Sequence, residues 1–305
     1  MAHNGFVQNQ TRRALLLMAL AVPLFALMDA GLKLLSPHYP PMQLAALRGL
    51  ASLPFILVWV MATLGLPALL QARWSLHLLR AVLGIAMMAG FIYGLRTLPL
   101  TTTYAITYVA PLLVTAFAVP VLGEKVGPRR WTAIGIGLLG VLVILRPSGE
   151  GMFSSAGLAV LLAACCWAAS ALTVRLLART DSAQTMVFWL MAMMGVGAGL
   201  LAAGQWQALR PADLWLVAGV GLAGSLAQIA LTEAFRRGEA SLVAPLEYTS
   251  LVWAVVLDVT LWGVLPDGVT WVGAAIVVVS GLYLLRRERV RAGASTSAAM
   301  ETPPP

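Results

Sequence analysis

Residues Tyr93–Pro147 read YGLRTLPLTTTYAITYVAPLLVTAFAVPVLGEKVGPRRWTAIGIGLLGVLVILRP, and residues Glu233–Arg287 read EAFRRGEASLVAPLEYTSLVWAVVLDVTLWGVLPDGVTWVGAAIVVVSGLYLLRR. Shifted by 140 positions without a gap, the first falls on the second. Arg96 meets Arg236, Tyr108 meets Tyr248, Gly123 meets Gly263, Trp131 meets Trp271, and Leu145-Arg146 meets Leu285-Arg286. Matched Leu, Val or Ala would mean little in so apolar a chain. Matched Tyr, Trp, Gly and Arg at one offset mark a tandem duplication.

The composition puts this duplication in a bilayer. Of 305 residues, 60% are hydrophobic and 10% charged, where a soluble chain is about half apolar and a quarter charged. Apolar runs of about twenty residues recur between short polar breaks, each long enough to cross a hydrocarbon core as a helix. The alternating segments of a membrane β-barrel are absent. The fold class expected is an all-α polytopic membrane protein with ten transmembrane helices. They lie near 14–35, 41–63, 79–97, 101–122, 130–147, 155–177, 184–204, 213–234, 240–263 and 269–286. Breaks fall at Pro37, Pro40-Pro41, Gly127-Pro128, Pro147-Ser148-Gly149 and Pro266-Asp267-Gly268. Arg12-Arg13 ahead of the first run resembles a signal peptide, but that run carries Asp29 and Lys33 and reads as a retained span. The organisation expected is a tail over 1–13, repeats over 14–147 and 155–287, and a disordered basic, Pro-rich tail over 288–305.

The net charge of +8 does not make a nucleic-acid surface, because the basic residues stand singly or in pairs at span ends. They report topology. With the N-terminus in the cytoplasm, fifteen of the twenty Lys and Arg fall on that side. Lys33, Arg96, Arg146 and Arg210 fall on the other, and Arg48 within a span. The positive-inside rule therefore places both termini in the cytoplasm. Five spans per repeat is an odd number, so the halves sit upside down to each other, Arg96 outside and Arg236 inside. Inverted repeats of this kind build secondary transporters, which rock around a site near the midplane. Ala86, Gly90 and Gly94 on the third span, and Ala230 and Ala234 on the eighth, are small residues four apart that let helices approach closely.

Ionisable groups inside a membrane are functional candidates. Asp29 and Lys33 are four apart, acid first, the favourable order for a helical pair. With Arg48 and Asp258 they sit at similar depth, and a charge cluster of all four is expected near the outer side. Glu247 and Tyr248 follow Pro245 in the ninth span; Thr107 and Tyr108 precede Pro111 in the fourth. Proline there breaks the helix and frees backbone carbonyls. Tyr93, Tyr104, Tyr108 and Tyr248 can stack on or hydrogen-bond to a ligand, and Gln228 and Glu233 are weaker candidates. Glu124 pairs with nearby bases, and Val264 holds its place in the repeat.

No enzyme or cofactor is indicated. The histidines His3, His38 and His77 lie at span edges or outside them, Cys165 and Cys166 are adjacent in an apolar run, and no phosphate-binding loop occurs. Transport would run on an ion gradient or on exchange.

Read in order, Asp29-Ala30-(x2)-Lys33, Arg48, Leu98-Pro99-Leu100, Ala110-Pro111-Leu112, Gly123-Glu124-Lys125, Arg129-Arg130-Trp131 and Leu145-Arg146-Pro147 resemble EamA-type transporters of the drug/metabolite transporter superfamily. Ala244-Pro245-Leu246-Glu247-Tyr248-Thr249, Leu265-Pro266-Asp267, Gly273-Ala274-Ala275 and Gly281-Leu282-Tyr283 continue the resemblance, which covers about residues 14–288. Val264 departs from the acid that many second halves keep. The resemblance implies two inverted five-helix halves around a central cavity and movement of an amino acid, a vitamin such as riboflavin, or an S-adenosylmethionine-like solute across the bacterial inner membrane. The expected partners are a small-molecule substrate, the lipid bilayer, and a coupling proton or counter-substrate. The protein would be a monomer or homodimer and would bind no nucleic acid. The rival reading is a non-transporting membrane sensor or assembly component that keeps the transporter fold.

Overall fold

The computed structural model of the chain describes residues 2–70, 72–122, 128–145, 154–177, 180–237, 244–280 and 282–283. Glu124 and the side chain of Tyr248 lie outside this set. The regular elements among the described residues are all helices, joined by short turns and loops. In order the helices are α1 Ala2–Leu35, α2 Pro41–Thr63, α3 Trp74–Leu95, α4 Leu100–Thr107, α5 Ala110–Leu122 and α6 Pro128–Leu145. Then come α7 Ser155–Leu177, α8 Ala183–Ala202, α9 Leu214–Arg237, α10 Ser250–Trp262 and α11 Gly268–Ser280. Among the described residues six stretches are long and apolar enough to cross a membrane, in α1, α2, α3, α7, α8 and α9; the stretch Leu100–Val114, α10 and α11 are apolar but shorter. The first helix runs ahead of its apolar part, so residues 2–13 continue α1.

Local chemistry sets the ends. Proline stands at or just before the first residue of α2, α4 and α6, where its missing N–H costs no helical bond. The Ser182 hydroxyl accepts the Thr185 amide at the start of α8. Gly263 ends α10 in the left-handed region, φ 65°, with its amide bonded to the Val259 carbonyl. The proline effect expected in the fourth and ninth spans takes a specific form. Helix breaks between Thr107 and Ala110, separating α4 from α5, while Ala244–Thr249 is a 3-10 turn that gives way to α10. The two irregularities fall at Tyr108 and Tyr248, the matched tyrosines of the duplication.

The halves pack across each other in antiparallel pairs. Ala14 and Met18 of α1 cluster with Ala230 and Ala234 of α9, while Gly31 abuts Val220 nearer the start of α9. Gly90 of α3 lies under the Ala159 carbonyl of α7, and Tyr93 hydrogen-bonds to Ser155. At the α2–α8 crossing, a Cβ on Gly49 would stand 2.7 Å from backbone atoms of Gly195 and Met191. Gln184, at the start of α8, donates to Thr63, at the end of α2. Leu100 meets Asp258 and Tyr108 meets Ser250 along α4 and α10, and Gly140 of α6 nests against Ile276 and Val277 of α11. Exchanging the halves turns α1-on-α9 into α7-on-α3 and returns the other three pairs to themselves. The outside is apolar: Leu200 is 74% exposed and Trp215 87%, as for a surface solvated by lipid.

Candidate functional site

Four first-half helices, α1–α4, and one second-half helix, α10, surround the buried charges. Asp29 of α1 is 7% exposed, and the Tyr104 hydroxyl of α4 donates to it at 2.6 Å. Phe91 of α3 flanks Tyr104, ring centroids 6.3 Å apart. Arg48 of α2 is 6% exposed. Its Nη1 donates to the Met88 thioether, and its Nε has no partner. A thioether is a weak acceptor for a guanidinium. Asp29 and Arg48 are close enough for their charges to act on each other, yet no ion pair joins them among the described residues. Two opposite buried charges are thus each held by a neutral side chain.

One turn along α1, Lys33 donates to Asp258 of α10 at 3.2 Å and lies over the Trp262 ring, 4.3 Å from its centroid. Asp258 is fully buried and saturated. It also accepts the Leu100 amide at 3.0 Å, the Thr101 amide at 2.7 Å and the Thr101 hydroxyl at 2.8 Å. A carboxylate at a helix start satisfies orphan N–H groups and is favoured by the helix dipole.

The sequence-derived candidates sort accordingly. The cluster of Asp29, Lys33, Arg48 and Asp258 forms as two groups, and the Asp29–Lys33 pair along α1 does not form. Asp258 crosses from another helix with a better geometry for the ammonium, and Asp29 is taken by Tyr104. Tyr108 is buried and bonded to the Ser250 hydroxyl, which itself donates to the Glu247 carbonyl. Glu247 is half-buried in the 3-10 turn, and Gln228 is half-buried on α9, one turn past Gly224, which abuts Met28. Tyr93 is exposed and bonded to Ser155, apart from the charged groups.

Asp29 and Arg48 are both buried from solvent. Among the described residues, a groove between α6 and α11 and another bordered by Pro41, Gly90, Tyr93 and Ala202 are not lined by Asp29, Arg48 or Glu247. Tyr104 and Met88 contact these charges directly.

Sequence reasoning missed a second polar centre at the far end of the bundle. His77 of α3 is 1% exposed, and its Nε2 lies 2.7 Å from Asp181. The Arg73 amide and the Thr180 hydroxyl also donate to Asp181. Burial pushes this carboxyl up, but the hydrogen bonds from Thr180, His77 and Arg73 outweigh it and hold the pKa below the ordinary value. Arg80, one turn further, donates to the Met186 carbonyl. Near the opposite end, Tyr39 donates to Asp213 at 2.6 Å and Arg210 pairs with the same carboxylate. The partners lie more than a hundred residues apart for His77 and Tyr39, so no local spacing announces them.

A helical bundle with an apolar exterior and opposite charges buried inside it defines a polytopic membrane protein. The chain belongs to the EamA-like transporter family, whose model matches it twice, over residues 12–146 and 154–286. It is 32% identical over 243 residues to a riboflavin transporter of Rhizobium johnstonii, covering 79% of this chain and 78% of that one. It is 28% identical to an S-adenosylmethionine uptake transporter of Rickettsia bellii, over 78% and 79% of the two chains. The pseudopaline exporter CntI of Pseudomonas aeruginosa is 25% identical over 93% of this chain and 99% of its own. A solved crystal structure at 20% identity superposes with a TM-score of 0.64, covering 90% of this chain and 98% of that one, which shows the shared fold. These relatives are transporters and not enzymes.

Proposed function

We propose that this protein is a secondary active transporter that carries a small polar or zwitterionic metabolite across the bacterial inner membrane by alternating access. It works through two inverted five-helix repeats, 14–147 and 155–287, with both termini in the cytoplasm. The observation that carries the proposal is the arrangement of Asp29 and Arg48. Buried opposite charges are most stable when paired directly; here the carboxylate rests on Tyr104 and the guanidinium on a thioether, with Nε free. A solute bearing an acceptor such as a carboxylate for Arg48 and a cation or N–H donor for Asp29 completes both. The antiparallel partner helices support the inverted repeat, and the double family match supports two halves. Riboflavin and S-adenosylmethionine are the first solutes to test, because relatives are named for them.

The test is uptake of labelled solute into proteoliposomes. Wild-type protein is expected to accumulate one of these solutes, and charge-neutral Arg48→Gln to abolish uptake while inserting normally. Normal uptake by Arg48→Gln would overturn the assignment of Arg48. Repeating the assay with an imposed pH gradient and with an ionophore tests proton coupling through Asp29 or Glu247, which flux indifferent to both would remove.

A further inference from the structure

From the bonds around Asp258 we infer that Lys33 and Asp258 form an ionic latch that closes one face of the transporter over the Asp29–Arg48 site and sets that closed arrangement as the resting state. The inference rests on the transport reading above and adds a gate to it. Asp258 ties three helices at once: α1 through the Lys33 ammonium, α4 through the amides of Leu100 and Thr101, and its own α10. All of this lies one helical turn, about 6 Å, to one side of the Asp29–Tyr104 contact. The same two helices, α1 and α4, carry both layers, so parting them on that side must break the latch before it uncovers Asp29.

Among the described residues the latch occurs on one side only. At the offset of 140 that relates the repeats, Asp258 corresponds to Ala118, which has no oxygen in its side chain to take a helix-start amide or a base. The two faces of an inverted-repeat carrier should be near-equivalent; here the carboxylate with four bonds has alanine as its sequence counterpart. Removing one partner of a buried pair leaves an uncompensated charge, so the ammonium and carboxylate strongly favour staying together. Trp262 adds to this, since its ring face attracts the Lys33 ammonium.

The experiment reads access to a buried position beneath the latch. Ala30 is 3% exposed and lies between Asp29 and Lys33 on α1. The reporter is Ala30→Cys in a background with Cys165→Ala and Cys166→Ala, in full-length protein reconstituted in vesicles. It is labelled with a membrane-impermeant thiol reagent applied on the latch side without solute. Slow labelling is expected for wild-type Lys33 and for Lys33→Arg, which keeps the charge. Lys33→Met should label about tenfold faster or more. Trp262→Leu, which leaves the carboxylate and its amide bonds in place, is the second variant, with a smaller acceleration expected even if Lys33→Met folds poorly. Unchanged labelling in Lys33→Met, or in Trp262→Leu where Lys33→Met cannot be purified, overturns the latch. Solute flux is measured on the same vesicles. Flux with no response of labelling removes the latch alone, whereas latch-dependent labelling without flux keeps the latch and removes the transport reading.

Discussion

At the scale of single residues, the molecule separates charges that do different work. Asp181 is the clearest structural one. Its folded pKa lies below the ordinary value of about 3.9, so its hydrogen bonds contribute stability that is fully present above that unfolded value. The contribution fades as pH falls through the depressed folded pKa. Asp181→Asn is therefore expected to lower the thermal midpoint of detergent-purified protein near pH 7, by the equivalent of about 1–3 kcal/mol. The gap to wild type should shrink progressively below about pH 3.9. A gap that widened on acidification would refute this account of His77, Thr180 and Arg73 acting on the carboxylate. None of this was legible beforehand. Asp29, Arg48 and Asp258 announced themselves as charges inside apolar runs, because a charge in hydrocarbon needs a reason. His77 and Asp181 sit at span edges, where polar residues are ordinary, and only folding reveals that they are buried against each other.

At the scale of helices, glycine sets the distances. The α2–α8 crossing has backbone on backbone at Gly49, where an added methyl would meet Gly195 and the Met191 carbonyl at 2.7 Å. Gly49→Val is expected to destabilise by about 1–3 kcal/mol through overpacking. Gly219, with nothing within 4 Å of such a methyl, should accept Ala within about 0.5 kcal/mol. Thermal denaturation of the two variants side by side checks both, and equal midpoints would mean that the crossing does not depend on close approach. The helices themselves were readable from hydropathy, and the proline positions foretold irregularity in the fourth and ninth spans. Which helix each charge would choose was not readable. Asp29 precedes Lys33 by one turn, the spacing of a local pair, yet Lys33 bonds to a residue 225 positions away. Local spacing gives the opportunity for a contact, and the tertiary competition decides it.

At the scale of the molecule, the antiparallel pairing of α2 with α8, α4 with α10 and α6 with α11 leads to a topological expectation. Arg96 and Arg236, matched in the duplication, should lie on opposite sides of the membrane. Single cysteines placed at the two positions, in a background freed of Cys165 and Cys166, should react with an impermeant thiol reagent from opposite faces of oriented vesicles. Reaction from the same face would bring down the inverted repeat and the alternating mechanism with it. The duplication itself was written plainly in the sequence, since the rare residues kept their register. The choice of Tyr104 and Met88 as partners for Asp29 and Arg48 was not, because it depends on side-chain packing that no hydropathy pattern encodes.

The interruption at Tyr108 has a mechanical consequence. The fourth span is not one rigid rod, and its eight-residue portion Leu100–Thr107, about 12 Å long, is the piece that carries both Tyr104 and the amides held by Asp258. The break at Tyr108–Val109 sets this short portion apart from Ala110–Leu122. On the transport reading proposed above, any shift of these two turns acts on the Asp29 contact and the Asp258 contact together.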